Sequence, residues 1–193
     1  TMFNEKWDVL DENGKHTGKT TLRRKCILKS GEYHLVVHIW VKNSNGEYLI
    51  QRRSVDREPM SGEWAATGGS AISGENSIVA AARELREELG IRAPKGALKK
   101  AGRLKRRNAF LDVWFIKCDA DISRLRLQKK EVAEVKWVSA EELAEMVKNG
   151  ELKGISYHEE VNEFLNEKIN TNNFVLRGIK QKNSDGIETI YPY

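Results

Sequence analysis

The sequence contains few cysteines and prolines and has no long apolar run. Two cysteines and three prolines in 193 residues are too few for the disulfide framework of a small secreted protein, and they suit a reducing compartment. The most apolar stretch, Leu35 to Val41, is interrupted by His38 and is far too short to cross a bilayer. The opening residues also lack the apolar segment of a secretory signal. We therefore expect a cytoplasmic protein that does not enter a membrane.

The charge balance is modest overall but uneven along the chain. The net charge is +5, yet residues 95–107 contain seven basic side chains and no acidic one. Two interpretations stay open for this run: a solvated strand face, or an electrostatic guide for a phosphorylated substrate. Aromatic residues are not interleaved with it as a nucleic-acid stacking platform would require, so no nucleic-acid partner is expected.

Three carboxylates stand out against this background. Glu84, Glu87 and Glu88 are spaced three and four residues apart, so a helix places them on one face. Like charges that close repel each other, and a helix with a purely structural role gains nothing from them. A bound divalent cation removes the conflict, because hard ions such as Mg²⁺ take oxygen ligands and share their shell with substrate phosphates.

Strand patterns surround this helix. Alternating or β-branched segments predict strands within residues 5–24, 33–53, 98–118 and 132–138, with a turn at Asn13-Gly14. The acidic helix is predicted to begin at Asn76 or Ser77 and to end at Gly90. Its expected core stripe consists of Ile78, Ala82, Leu85 and Leu89. Capping boxes predict further helices after Ser139 and Ser156. The pattern indicates an α/β fold in which helices flank a mixed sheet.

The segment from Gly69 to Ile91 matches the Nudix box position for position. The matching residues are Gly69, Glu75, Arg83, Glu84, Leu85, Glu87, Glu88, Gly90 and Ile91. Nine specified positions at fixed spacing form a sharp signal. The chain therefore resembles the Nudix hydrolases, and the strand pattern extends the resemblance over roughly residues 33–150.

The resemblance implies a Nudix α/β/α sandwich with a mixed sheet flanked by helices. We expect an N-terminal strand extension at 1–30, a Nudix domain at 31–168 and a C-terminal tail at 169–193. The implied activity is pyrophosphohydrolysis of a nucleoside diphosphate linked to another moiety. The implied cofactor is Mg²⁺ or Mn²⁺, in one to three ions. Its implied ligands are the Gly69 carbonyl and the carboxylates of Glu84, Glu87 and Glu88.

The general base has two candidates in such enzymes: a glutamate of the box, here Glu84, or one on a later loop, here Glu131. Glu134 is the weaker rival of Glu131. Arg83 is expected to pair with a neighbouring carboxylate, most of all Glu75. It would then orient the metal ligands without binding the cation itself.

Four residues are candidates for substrate contact, namely His34, Arg52, Arg53 and Trp64. For His34 and Trp64, a place in the protein core is the competing interpretation. A homodimer is an expectation at the level of the family only.

The N-terminal half also resembles type I isopentenyl-diphosphate isomerases, from Trp7 to Gly18, around Tyr33-His34-Leu35 and at Gln51-Arg52-Arg53-Ser54. Those enzymes use a cysteine and several histidines, but residues 64–73 contain neither here, and the isomerases break the box that this chain keeps. Isomerase activity is therefore not expected. A second alternative is a module that binds nucleotide derivatives without turnover, against which the intact carboxylate set argues.

Overall fold

The computed structural model describes residues 5–23, 28–56, 60–153, 180–183 and 186–191. The strands are β1 (Lys6–Leu10), β2 (His16–Leu22), β3 (His34–Lys42), β4 (Tyr48–Arg53), β5 (Trp64–Ala65), β6 (Thr67–Ser70), β7 (Lys99–Lys105), β8 (Ala109–Lys117), β9 (Val132–Val138), β10 (Leu152–Lys153), β11 (Lys180–Asn183) and β12 (Gly186–Tyr191). The helices are α1 (Ser77–Leu89) and α2 (Ala140–Lys148), with a short 3₁₀ turn at Ile122–Arg124. Neither helix of the described part has the length and apolar character needed to span a bilayer.

A mixed sheet organises these elements. Its order is β10-β5-β4-β3-β8-β7-β12-β11, with β6 paired to β3 and β9 paired to β4. Strands β3 and β8 run parallel, in register from His34 opposite Ala109 to Lys42 opposite Lys117. Strand β6 pairs with the first half of β3 and β4 pairs with its end. Strands β4 and β6 therefore follow one another along the same edge of β3, and their ends adjoin there.

The two faces of the sheet bury separate clusters. Alternate residues of β3 divide between them: Trp40 packs with Leu143 and Met146 of α2, whereas Ile39 packs with Leu85 of α1. Because successive strand residues point to opposite faces, each helix covers its own side. The expected α/β/α sandwich with a mixed sheet is confirmed.

Helix α1 begins and ends where the sequence indicates. Asn76 is the N-cap and accepts a hydrogen bond from the Val79 N–H at 3.1 Å. Gly90 ends the helix at φ 72°, a left-handed conformation that favours glycine. The predicted core stripe is wrong at one position, because Ile78 is 42% exposed. It lies in the first turn, where the buried face runs instead through Ala80 and Ala81.

The N-terminal strands form a hairpin, β1–β2, that is tied to the loop before α1. The Asp8 carboxylate accepts hydrogen bonds from Ser73 Oγ at 2.6 Å and from the Gly74 N–H at 2.9 Å. Trp7 of the same strand stacks on His34 of β3, with ring centroids 4.2 Å apart. The hairpin therefore fixes the loop that leads into the acidic helix.

Much of the basic run at 95–107 has a structural role. Asp112 is fully buried in β8, and its carboxylate accepts from Arg103 Nε at 2.6 Å and from Lys100 Nζ at 2.7 Å. Burial opposes ionisation, but the hydrogen bonds of Arg103 and the charge of Lys100 hold the pKa of Asp112 below its ordinary value. Lys105 donates to the Glu12 carbonyl in the hairpin. These three bases are therefore engaged within the fold.

The helix expected after Ser156 lies outside the described residues. Among the described C-terminal residues, β12 joins the sheet and pairs with β7 through Ile190 opposite Leu104.

Candidate functional site

The carboxylates of α1 divide between its buried and exposed faces. Glu84 and Glu88 are 7% and 1% exposed and face the sheet, whereas the Glu87 side chain is 42% exposed. The burial follows from helical spacing, because Glu84 and Glu88 flank Leu85, which packs in the core. Two ionisable groups therefore lie between α1 and the adjoining ends of β4 and β6.

Gly69 allows Glu84 to approach the backbone of β6. A Cβ atom built on Gly69 would lie 2.7 Å from the Glu84 Cδ and 3.0 Å from its Oε2. Atoms cannot come that close without displacing the carboxylate, so any larger residue moves Glu84. The absence of a side chain is needed here for close contact with a charged group.

Arg83 holds three of the acidic side chains together. Its Nε and Nη2 donate to the two oxygens of Glu75 at 2.7 and 3.0 Å. Its Nη1 donates to Glu84 at 2.9 Å and to Glu87 at 3.1 Å, and Nη2 also reaches the Ser70 carbonyl. Burial disfavours the charged guanidinium, but the hydrogen bonds with Glu75 and the charge of Glu84 outweigh it and raise the pKa of Arg83. The pairing expected from the sequence is present in the fork geometry that arginine favours.

Glu88 is satisfied on one oxygen only. Its Oε2 accepts from Gln51 Nε2 at 2.9 Å and from the Gly68 N–H at 3.2 Å. Its Oε1 is buried and has no hydrogen-bond partner among the described residues. A buried polar atom without a partner is costly. A cation beside this oxygen would supply the partner that it lacks.

Burial and mutual repulsion disfavour the charged forms of both helix carboxylates. Burial raises the pKa of Glu84, against the opposing charge of Arg83, and the nearby Glu131 contributes to the rise. Burial and then the charge of Glu84 raise the pKa of Glu88, against the hydrogen bond from Gln51. Negative charge is therefore concentrated where the protein itself supplies little compensation.

Glu131 belongs to the same group of charges. It is 8% exposed, directly precedes β9, and its charge contributes to the raised pKa values of Glu84 and Glu88. Its carbonyl accepts from the Ser54 N–H and its own N–H donates to the Gln128 carbonyl. Glu134 is elsewhere, since it pairs with Arg52 at 3.1 Å with half of its side chain exposed.

The donor set fits a hard divalent cation. Glu84 and Glu88 are buried carboxylates, the Gly69 backbone lies against Glu84, and oxygen is the ligand type that Mg²⁺ prefers. Within the described ranges, no group of three or more His, Cys, Asp or Glu side chains is arranged so that it could hold a metal ion as it stands. Glu87 in particular is turned toward Arg83 at 3.1 Å. A cation bound here would therefore draw Glu87 inward or complete its shell with other oxygens.

The four candidates for substrate contact occupy different places. Arg53 lies on the face of β4 that carries Gln51, because residues two apart share a face. Arg52 points to the opposite face, where it pairs with Glu134. Trp64 packs at the edge of the α2-side core, with Lys136 Nζ 5.0 Å from its ring. His34 is stacked beneath Trp7. Of the four, Arg53 is therefore the one that shares a strand face with Gln51.

The environment of His34 leads to a prediction about acid stability. Burial, and then the charge of Arg23, lower the pKa of His34 from 6.5 to about 4. The unfolded chain takes up a proton near pH 6.5 and the folded chain does so only near pH 4. Above pH 6.5 this histidine therefore leaves the free energy of unfolding unchanged. As the pH falls below 6.5 it lowers the free energy of unfolding, by up to about 2 kcal/mol at pH 5. His34→Phe keeps the ring on Trp7, so its Tm should fall less than that of the wild type between pH 7 and pH 5.

Calorimetry at the two pH values checks this prediction. His16→Gln serves as the control, because the His16 side chain is 63% exposed, and it should keep the wild-type loss. Equal losses of Tm in His34→Phe and the wild type would contradict the assignment.

Comparison with known proteins identifies the fold and the family. The model of the NUDIX domain matches residues 32–157. An uncharacterised Nudix hydrolase of Listeria monocytogenes is 41% identical over 170 residues, covering 88% of this chain and 96% of that protein. The crystal structure of DR0079 from Deinococcus radiodurans superposes with a TM-score of 0.71 at 23% identity, over 84% of this chain and all of that one. The chain belongs to the Nudix family and is a hydrolase.

The resemblance to isomerases also has a counterpart. An isopentenyl-diphosphate isomerase of Pectobacterium atrosepticum is 33% identical over 85 residues, covering 44% of this chain and 46% of that protein. The likeness is therefore real but partial.

Sequence reasoning missed two polar residues of the site, Gln51 and Thr67. Both are 1% exposed, and the Thr67 hydroxyl donates to Gln51 Oε1 at 3.1 Å. One signal was available for Gln51: it follows Tyr48-Leu49-Ile50, where a buried apolar strand gives little reason for an amide. Thr67 gave none, because threonine is common in strands.

Proposed function

We propose that the chain is a Mg²⁺- or Mn²⁺-dependent pyrophosphohydrolase that acts on a nucleoside diphosphate linked to another moiety. The observation that carries the proposal is the buried Oε1 of Glu88, which lacks a partner among the described residues and lies in a group of carboxylates. Membership of the Nudix family supports the reaction class. The metal and the substrate class are our inference from the chemistry of the site.

Four groups would hold the cation: the carboxylates of Glu84, Glu87 and Glu88 and the carbonyl of Gly69. Arg83 supports them, because it grips Glu75 with two hydrogen bonds and reaches Glu84 and Glu87 from the same guanidinium. When bound, a divalent cation neutralises phosphate charge and polarises the phosphorus toward attack.

Glu131 is proposed as the general base. Hydrolysis requires that a water oxygen form a bond to phosphorus while the bridging P–O bond breaks, and the proton of the water must go to a base. Glu84 is assigned to the cation, and one of its oxygens already accepts from Arg83 at 2.9 Å, so its oxygens have other partners. Glu131 lies outside the helix, close enough for its charge to act on Glu84 and Glu88.

Arg53 is the proposed phosphate contact of the protein. It follows Gln51 on the same face of β4, and a guanidinium can hold two phosphate oxygens at once. His34, Arg52 and Trp64 are engaged with Trp7, Glu134 and Lys136 respectively, and we assign them no part in binding the diphosphate.

The test is a panel of substrates assayed with Mg²⁺ and Mn²⁺. The panel contains ADP-ribose, nucleoside triphosphates, dinucleoside polyphosphates, coenzyme A and isopentenyl diphosphate, and it is run beside Glu87→Gln. We expect one compound to release a monophosphate product. This activity should stop in EDTA and should be absent in the variant. Tight nucleotide binding without hydrolysis would replace the proposal with a binding module. Isomerisation of isopentenyl diphosphate would contradict it.

The choice of base has its own discriminating variants. Glu131→Gln should lower kcat by about 10²–10⁴-fold, while Mn²⁺ still binds. Glu84→Gln should weaken Mn²⁺ binding as well. If Glu131→Gln retains the kcat of the wild type, Glu131 is not the base.

A further inference from the structure

An amide is buried in the core of β4 where an apolar side chain would be expected. Gln51 is 1% exposed and follows three buried residues, Tyr48, Leu49 and Ile50. An amide transferred from water to an apolar interior is unfavourable unless its hydrogen bonds are replaced. Gln51 satisfies that condition with Glu88 on one side and Thr67 on the other.

The three side chains form a chain with a fixed direction. The Oε2 atom of Glu88 accepts from the Gly68 N–H and also from the NH₂ of Gln51, at 2.9 Å. The Gln51 Oε1 is then directed at Thr67, whose hydroxyl donates to it at 3.1 Å. The amide cannot flip without placing its oxygen against a carboxylate oxygen and its NH₂ at the Thr67 hydroxyl.

These hydrogen bonds determine which oxygen of Glu88 remains without a partner. Gln51 and the Gly68 N–H both donate to Oε2, whereas Oε1 is buried with no partner in the described part of the chain. The terminal torsion of a glutamate is broad and intrinsically soft. Two donors on one oxygen hold that torsion and present the other oxygen to whatever lies beside it.

We propose that Gln51 is a positioning residue that fixes Glu88 with Oε1 directed at the cation, and that Thr67 holds the Gln51 amide in the required orientation. This inference rests on the proposed metal-dependent function. The hydrogen-bonded side chains of Thr67 in β6, Gln51 in β4 and Glu88 in α1 would then orient one cation ligand before the cation binds.

The test measures Mn²⁺ affinity by counting free Mn²⁺ with electron paramagnetic resonance, independently of turnover. Gln51→Met keeps the length of the side chain and removes the donor, and it should weaken Mn²⁺ binding about 10- to 100-fold. Thr67→Val should weaken it about 3- to 10-fold, the size of one hydrogen bond. Because Thr67 acts through Gln51, the double variant should bind Mn²⁺ no more weakly than Gln51→Met alone.

Two comparisons separate positioning from general damage to the fold. Tyr48→Phe removes another buried polar atom from β4 on the opposite face, where the hydroxyl has no partner among the described residues, and it should leave Mn²⁺ affinity unchanged. Thermal unfolding in EDTA should show Gln51→Met still folded with a cooperative transition, with a moderately lower Tm, because the Thr67 hydroxyl loses its acceptor while an apolar side chain of similar length fills the space of the amide.

The outcomes distinguish this inference from the proposed function. If the wild type binds Mn²⁺ and Glu88→Gln does not, but Gln51→Met binds as well as the wild type, the positioning role is overturned and the metal site stands. If the wild type itself fails to bind Mn²⁺, or Glu88→Gln binds it equally well, the metal site falls and the positioning role falls with it. Additive losses in the double variant would overturn the assigned role of Thr67.

Discussion

Replacing Arg83 with methionine should lower the free energy of unfolding by about 3–5 kcal/mol, the usual result of removing one partner from buried charges. Glu75 and Glu84 have side chains 11% and 9% exposed and would lose the guanidinium that neutralises them. A loss of this size is a large fraction of the stability of a typical domain. Urea denaturation without added metal measures it directly.

The same variant should be less damaged in acid. Without Arg83, the pKa of Glu84, already raised by burial, moves higher still and the carboxyl binds a proton. The folded state of the variant then gains stability as the pH falls, so the loss should be smaller at pH 5.5 than at pH 8.

Arg86→Met is the matched control. Arg86 lies on the same helix with its side chain 57% exposed, and its contact with Glu87 is 3.8 Å long. An exposed pair of this kind contributes at most about 1 kcal/mol. Equal destabilisation by the two substitutions would contradict the stabilising role assigned to the hydrogen bonds of Arg83.

Glu88→Gln should lower kcat/KM by about 10³-fold or more, because removing a cation ligand forfeits several kcal/mol of transition-state stabilisation. The folded state should not suffer in EDTA at pH 8, since an amide is neutral and burial disfavours the charged form of Glu88. Loss of turnover together with retained stability is the signature of a functional residue.

Glu145→Gln is the control for that experiment. Glu145 lies on the exposed face of α2, so the substitution removes a charge of the same kind without touching the carboxylate group. Its kcat/KM should match the wild type. Turnover retained by Glu88→Gln at the level of this control would remove Glu88 from the reaction.

Local sequence signals predicted the elements of the fold well because their causes are local. Asn76 caps α1 and Gly90 ends it, and each needs only its own neighbours to do so. The strand from Val132 to Val138 was predicted with the bounds it has. The prediction that Ile78 is buried was wrong, because the position of the sheet relative to the first turn of α1 decides which residues of that turn are buried.

The site was less predictable because it depends on contacts between distant segments. The Nudix box locates Glu84, Glu87 and Glu88 but does not say that Glu87 turns outward while the other two are buried. The pair formed by Gln51 and Glu88 joins residues 37 positions apart. No spacing rule indicates such a contact before the sheet order is known.

Direct titration of the protein with Mn²⁺ tests the central claim most simply, with the wild type, Glu88→Gln and Glu145→Gln measured side by side by calorimetry. The account predicts saturable binding to the wild type and to Glu145→Gln, and binding at least about tenfold weaker to Glu88→Gln. Equal binding by all three proteins would contradict it, because the partnerless oxygen of Glu88 would then not be a cation ligand.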